Sequence, residues 1–175
     1  AIVYKRSDDA GLTCSDRLPT PESWATSQEV PTIHRVVDAE GTKRLIMWSG
    51  LYPARLAVSE DDGASWSELK PAGDWGGIVV MGFVGKLKEP GHYLAMFHDD
   101  GRYFTKKGES KKPVEFRLYK TFSKDGGLTW STPEMMQKDT AVHLCEPGLI
   151  RSPDGLQMAV LLRENSRRRN SHVIF

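Results

Sequence analysis

Carboxylates, histidines and arginines are concentrated in polar segments of this chain, which alternate with runs of strand-forming residues. A pair of carboxylates can hydrolyse a glycosidic bond, and a planar guanidinium can bind a carboxylate through two parallel hydrogen bonds. Asp99 or Asp100, together with Glu146, would make such a carboxylate pair. The candidate residues for an active or binding site are Asp74, Trp75, His98, Asp99, Asp100, Arg102, His143, Glu146, Arg163, Asn165 and Arg167.

Most of these candidates also have a purely structural interpretation. Glu146 and Arg163 could form an ordinary surface ion pair with each other or with neighbouring charges. The segment 98–102 contains an Asp-Gly step, which is typical of a plain turn. The basic run 167–169 is either a solvated loop or an anion-binding loop beside Arg163. No third ligand has metal-binding spacing relative to the histidines, so we predict no metal site.

Composition argues against several other classes of function. The chain has 24 Lys+Arg against 23 Asp+Glu, which leaves no charge footprint for nucleic acid or a membrane surface. No apolar run approaches the ~18 residues that a membrane span needs. The two cysteines, Cys14 and Cys145, lack the spacing of a disulfide framework or a metal site, and we predict two buried free thiols. No cofactor is expected.

One eight-residue pattern, Ser-x-Asp-x-Gly-x-x-Trp, occurs at 59–66 and again at 123–130. A weaker copy occupies 7–14, where Cys14 replaces the tryptophan. The Asp can accept hydrogen bonds from turn N–H groups, the Gly can adopt a positive φ, and the Trp can bury its ring between hairpins. The residues predicted to have this structural role are Ser7, Asp9, Gly11, Ser59, Asp61, Gly63, Trp66, Ser123, Asp125, Gly127 and Trp130.

This pattern is similar to the Asp-box, and the chain resembles the sialidase (neuraminidase)-like, or BNR-repeat, β-propellers. The resemblance implies an all-β fold of four-stranded antiparallel blades, six in the family, in which the Asp-box joins the third strand to the fourth. This chain would supply roughly three blades. Residues 1–20 would end one blade, 21–75 would form a second, 76–140 a third, and 141–175 would begin a fourth.

Period-two patterns and turn residues predict the strands within these units, and they predict no helix. The expected strands lie near 32–37, 44–49, 54–59, 66–70, 77–84, 92–98, 115–122, 130–136, 146–151, 156–163 and 171–175, with two more within 1–20. Two sets of loops would then share one face of the propeller. They are 49–53, 98–113 and 164–170, and 21–31, 71–76 and 137–145.

In exo-sialidases, a Glu that opens a strand polarises a Tyr nucleophile, and an Arg that closes the next strand belongs to a triad that binds the substrate carboxylate. The resemblance assigns these two roles to Glu146 and Arg163. Their interval is about one residue longer than the family pattern. The family's first triad Arg and its acid/base Asp would precede Ala1, and its last Arg and the Tyr would follow Phe175. The chain alone is therefore expected to be catalytically incomplete.

Two functions follow as expectations. One is a sialidase-like glycoside hydrolase, exo-acting on sialic acid or a related acidic sugar, in which Trp75 could stack on a sugar ring. The other is a non-catalytic Asp-box propeller that binds glycan or protein. The expected partners are a carbohydrate and either the remainder of the propeller or a second copy, because three blades would leave open faces. Neither nucleic acid nor a membrane is expected.

Overall fold

The computed structural model describes residues 1–74, 76–104 and 115–175, which form three antiparallel sheets, none of them closed. The first sheet contains β1 (Thr32–Val37), β2 (Lys43–Ser49), β3 (Arg55–Ser59) and β4 (Lys70–Pro71). The second contains β5 (Val80–Lys86), β6 (Tyr93–Asp99), β7 (Phe116–Ser123) and β8 (Glu134–Asp139). The third contains β9 (Leu144–Arg151), β10 (Met158–Glu164) and β11 (His172–Ile174). In each sheet the strands lie side by side in chain order.

The predicted all-β, antiparallel class is confirmed, and most predicted strands are present within a few residues of their expected bounds. The predicted strands within 1–20 are wrong. Ser15 N–H donates to Arg6 O and Leu18 N–H donates to Tyr4 O, but two such bonds do not make a ladder. The strand expected at 66–70 is reduced to Lys70–Pro71, and a short 3-10 helix, Glu22–Thr26, forms where no helix was predicted.

The sheets pack face to face, with the second sheet in the middle. Alternation along β6 explains this, because successive side chains of a strand point to opposite faces. Tyr93 and Phe97 enter the core shared with the first sheet, which includes Trp48 and Trp130. Met96 enters the core shared with the third sheet, which includes Leu118, Leu144, Val160 and Leu162. A strand that is buried on both faces must be apolar on both, as 93–97 is.

The first strands of the three sheets are neighbours, because β5 contacts both β1 and β9. Two irregularities meet where β5 passes β9. The pairing of β5 with β6 shifts between Met81 and Phe83, so Gly82 is an extra residue in β5. A Cβ on Gly82 would overlap the backbone and ring of Pro147 in β9. Glycine at this position therefore allows the two backbones to approach closely.

Candidate functional site

The three copies of the eight-residue pattern form turns with the same hydrogen bonds. In the last copy, Ser123 Oγ donates to Asp125 Oδ1 and accepts the N–H of Gly127, both at 2.8 Å. Asp125 also accepts the backbone N–H and the hydroxyl of Thr129. The other copies repeat these bonds through Ser7, Asp9, Gly11 and Thr13, and through Ser59, Asp61, Gly63 and Ser65.

These bonds keep the three aspartates ionised. The side-chain and backbone bonds from Thr13 and Ser65 hold the pKa of Asp9 and of Asp61 at about 2. Burial raises the pKa of Asp125, but the bonds from Thr129 and Ser123 outweigh burial and leave that pKa below its usual value. Carboxylates occupied in this way are turn components, which supports the structural role predicted for them.

The aromatic positions of the pattern differ among the copies. Trp130 is buried, packs edge-on against Trp48 of the first sheet and donates its ring N–H to Gly127 O at 3.0 Å. Trp66 packs edge-on against Trp24. The prediction for Cys14 is wrong, because its thiol is exposed at a turn that nothing covers among the described residues, whereas Cys145 is buried as predicted.

A cleft of about 510 Å³ lies at the other end of the sheets from these turns. The strand registers place it there, because His98 of β6 pairs with Val80 at the start of β5, whereas Ser123 pairs with Tyr93 at the far end. The floor of the cleft is formed by 79–82. The walls are Glu29, Val30 and Thr32 on the β1 side, and Glu146, Pro147 and Gly148 on the β9 side.

Glu146 lines this cleft and is paired with Arg163, which does not itself line it. Arg163 donates to Glu146 Oε1 at 2.6 Å, and the two side chains are 49% and 48% exposed. The hydrogen bond from Glu146 and its charge raise the pKa of the guanidinium further above its already high value. A half-exposed pair of this kind keeps its remaining donors and acceptors open to a ligand.

The sequence interval between Glu146 and Arg163 is longer than the family pattern, and a β-bulge accommodates the extra residue. Leu161 pairs with Gly148, but Arg163 pairs with Cys145, so β9 holds one more residue than β10 over this stretch. Glu146 lies within the extra stretch and has a φ of 49°. Bulges of this type re-aim a side chain, and here the bulge brings Glu146 to Arg163.

His98 supports the backbone of Glu146 from beneath. Its ring is only 5% exposed, and its Nδ1 accepts the N–H of Glu146 at 3.3 Å. Burial lowers the pKa of His98 to about 4, against the opposing attraction of Glu146 and Asp100 and with a smaller lowering by Arg163. The ring is therefore neutral near pH 7. Because a backbone N–H can only donate, the proton of the neutral ring is on Nε2.

The turn after β6 keeps the aspartates of this segment out of the cleft. Asp99 is fully buried and accepts the N–H groups of Gly101 and Tyr103, both at 2.9 Å. Burial raises the pKa of Asp99, and those two bonds lower it in part. Asp100 is bound by the guanidinium of Arg102 through both carboxylate oxygens. The geometry thus favours the plain-turn interpretation of 98–102 over a carboxylate pair with Glu146.

The other predicted substrate-binding residues are not brought to the cleft. Asp74 and Arg167 are exposed and do not line it, and Trp75 lies outside the described residues. Asn165 donates its backbone N–H to His143 O at 2.9 Å and is exposed. Arg167 has a φ of 60°, in the loop that joins β10 to β11.

Glu29 is a cleft residue that the sequence reasoning missed. It lies on the wall opposite Glu146, and its Oε1 accepts the N–H of Val30 at 2.9 Å. The loop 21–31 was predicted to lie on the same face as Glu146, and this prediction could have pointed to Glu29. What the sequence did not reveal is that the last residues of this loop turn toward β5.

Within residues 1–74, 76–104 and 115–175, no cluster of three or more His, Cys, Asp or Glu side chains is placed to hold a metal ion. His98 and His143 are instead linked through an aromatic stack. Phe116 lies parallel to the His98 ring at 6.1 Å and to the His143 ring at 4.5 Å between centroids. No helix in the described part of the chain has both the length and the apolar character needed to cross a membrane.

The chain matches no protein-family model, and it matches no curated protein. Any function must therefore be argued from the cleft, the turns and the arrangement of the sheets.

Proposed function

We propose that this chain is part of a sialidase-type β-propeller and that the cleft beside Glu146 and Arg163 acts on an acidic sugar as a glycoside hydrolase. The observation that favours this most is the Glu146–Arg163 pair, which adjoins the cleft through Glu146 and is held by a bulge and by buried His98. It joins a potential base to a carboxylate-binding group within one site.

The sheet arrangement supports the propeller part of the proposal. Blades of a propeller are four-stranded antiparallel sheets that pack face to face around an axis, with their first strands innermost. Two of the sheets have four strands in chain order, and β1, β5 and β9 are neighbours. The repeated turns join β3 to β4 and β7 to β8, which are the third-to-fourth connections that the family pattern requires.

In this proposal Arg163 binds the substrate carboxylate with the donors that Glu146 leaves unused. Glu146 takes the proton from a nucleophilic hydroxyl as its oxygen bonds to the anomeric carbon and the glycosidic C–O bond breaks. No tyrosine of the described residues lines the cleft, so the nucleophile is supplied from outside them. Glu29, on the opposite wall, would take the role of the family's acid/base Asp and donate the proton of its carboxylic acid form to the leaving oxygen, which balances the step.

A non-catalytic glycan-binding propeller is the second candidate. One observation favours it, namely that both carboxylates of the cleft already have partners. Glu146 accepts from Arg163, and Glu29 accepts from the N–H of Val30. A site whose acids are occupied can bind a sugar through its arginine without cleaving it.

The deciding experiment is hydrolysis of a fluorogenic sialoside by the full-length protein, with Glu146→Gln and Arg163→Ala measured beside it. If the protein is a hydrolase, kcat should fall in Glu146→Gln and KM should rise in Arg163→Ala. Arg17→Ala is the matched control, because Arg17 is an exposed arginine that does not line the cleft. If the folded protein binds the sialoside without turning it over, the binding propeller replaces the hydrolase. If the folded protein shows no binding and no turnover, both candidate functions are refuted.

A further inference from the structure

A second cleft, of about 550 Å³, lies between the loop that precedes β9 and the loop that follows β10. It is lined by Thr140, Ala141, His143, Ser166, Arg168 and Arg169. No carboxylate lines it, whereas two arginines do. None of the roles proposed above uses this cleft.

Glu164 holds the two loops together and does not line the cleft. It is 6% exposed, and its Oε1 accepts the N–H groups of His143 and Ser166 at 3.0 and 3.1 Å. Its Oε2 accepts the Ser166 hydroxyl at 2.8 Å. Burial raises the pKa of Glu164, but these bonds outweigh it and bring the pKa to about 2. The charge of Glu164 is thus used to fix the cleft and does not neutralise its arginines.

The two arginines of the cleft are unpaired in the described part of the chain, where neither Arg168 nor Arg169 forms a salt bridge. The carboxylate attracted to Arg169 is Asp139. Its Oδ1 is occupied by the N–H groups of Ala141 and Val142 at 2.6 and 3.0 Å, and it does not line the cleft. Two guanidinium groups beside hydroxyls, with no salt bridge to a carboxylate among the described residues, form a site for an anion.

The ring stack connects this cleft to the first one. His98 lines the first cleft, His143 lines the second, and Phe116 lies between their rings. The clefts are thus separated only by three stacked rings, a distance that a short oligosaccharide can span.

We infer that the second cleft is an anion subsite for a multiply acidic glycan. Arg168 and Arg169 bind a sulfate ester or a second carboxylate, while the first acidic group lies on Arg163. The glycan part of this inference rests on the proposed function, whereas the anion site stands on the geometry of the second cleft alone. It narrows the anion-binding loop expected at 167–169 to Arg168 and Arg169, because Arg167 does not line the cleft.

The anion site is tested first with inorganic sulfate, titrated into the ¹⁵N-labelled full-length protein. The backbone N–H signals of Ser166 and Arg168 should shift and saturate. In Arg168→Gln/Arg169→Gln the affinity should fall by about tenfold or more, because charged hydrogen bonds are lost. Arg163→Gln should retain the shifts, and so should Arg17→Gln, which removes an exposed arginine elsewhere. Unchanged affinity in the double variant, or no saturation in the wild type, overturns the site.

The glycan part is tested with two matched oligosaccharides, one with a single carboxylate and one that also has a sulfate ester. The second should bind about tenfold more tightly, and the difference should vanish in Arg168→Gln/Arg169→Gln. Equal binding of both glycans overturns the bridging ligand. If sulfate binds and neither glycan does, the proposed function and the glycan ligand are both refuted, and that result differs from a failure of the anion site.

Discussion

Replacing Gly82 with alanine should separate the second and third sheets at the point where Glu146 is positioned. A Cβ at residue 82 would lie 2.5 Å from Cγ and 2.7 Å from Cδ of Pro147, and closer still to its carbonyl oxygen. Ordinary contacts of a Cβ are 3.4–4 Å. The obstruction includes backbone, so it cannot be relieved by a side-chain rotation.

The expected cost of Gly82→Ala is about 1–3 kcal/mol, which is typical of overpacking. Gly148 offers a matched control in the facing strand. A Cβ there would meet only Leu161 O, at 4.0 Å, and its φ is not positive, so Gly148→Ala should be neutral or stabilising by about 0.4–1 kcal/mol. Gly85→Ala should lie between them, because its obstruction is the tip of the Leu149 side chain.

Urea denaturation of the three variants, followed by tryptophan fluorescence, measures these differences directly. The midpoint of Gly82→Ala should be the lowest, and its m-value should be unchanged, since the surface exposed on unfolding stays the same. Sulfate binding at the second cleft should survive, because Gly82 does not line that cleft. Equal midpoints for Gly82→Ala and Gly148→Ala would refute the idea that close backbone approach holds β5 against β9.

Three further predictions follow from burial and hydrogen bonding. Asp125→Ala should destabilise the protein by about 1–3 kcal/mol, measured by thermal unfolding, because it leaves turn donors unpaired. Asp9→Ala, at the exposed first turn, should have a smaller effect, and the reverse order would contradict this reasoning. Stability should fall as pH is lowered from about 6.5 to about 4, because the unfolded chain protonates His98 before the folded one does, and His98→Gln should reduce that fall in urea titrations. In the native protein Cys14 should react with a thiol reagent at once, and Cys145 only on unfolding, because it is buried and burial raises its pKa to about 11; rapid labelling of both would be inconsistent with the structure.

The sequence was sufficient for features that depend on local chemistry. The turn bonds of Ser123, Asp125 and Gly127 follow from residue types at fixed offsets, as do the equivalent bonds of the other copies. The strands follow from period-two patterns, because such patterns bury one face or both. The sequence did not reveal that residues four positions into each turn, such as Ala10 and Asp62, also adopt a positive φ.

Features that depend on packing between segments could not be predicted. Asp99 and Asp100 stand in a polar sequence that fits either a site or a turn, and only burial and the bonds to Gly101 and Tyr103 distinguish the two. Glu29 required knowledge of how its loop meets β5. Cys14 was expected to be buried because its neighbours are apolar or small, but among the described residues no aromatic side chain covers it as Trp24 covers Trp66.

The position of Glu146 depends on three contacts that belong to different sheets. Within its own sheet, the bulge gives it a positive φ and aims it at Arg163. From the second sheet, His98 accepts its N–H and Gly82 receives Pro147. A positive φ at a glutamate is unfavourable in isolation, so it persists because the surrounding packing determines it. The position of Glu146 is therefore a property of the interface between the second and third sheets, and a change at Gly82 or His98 should move it.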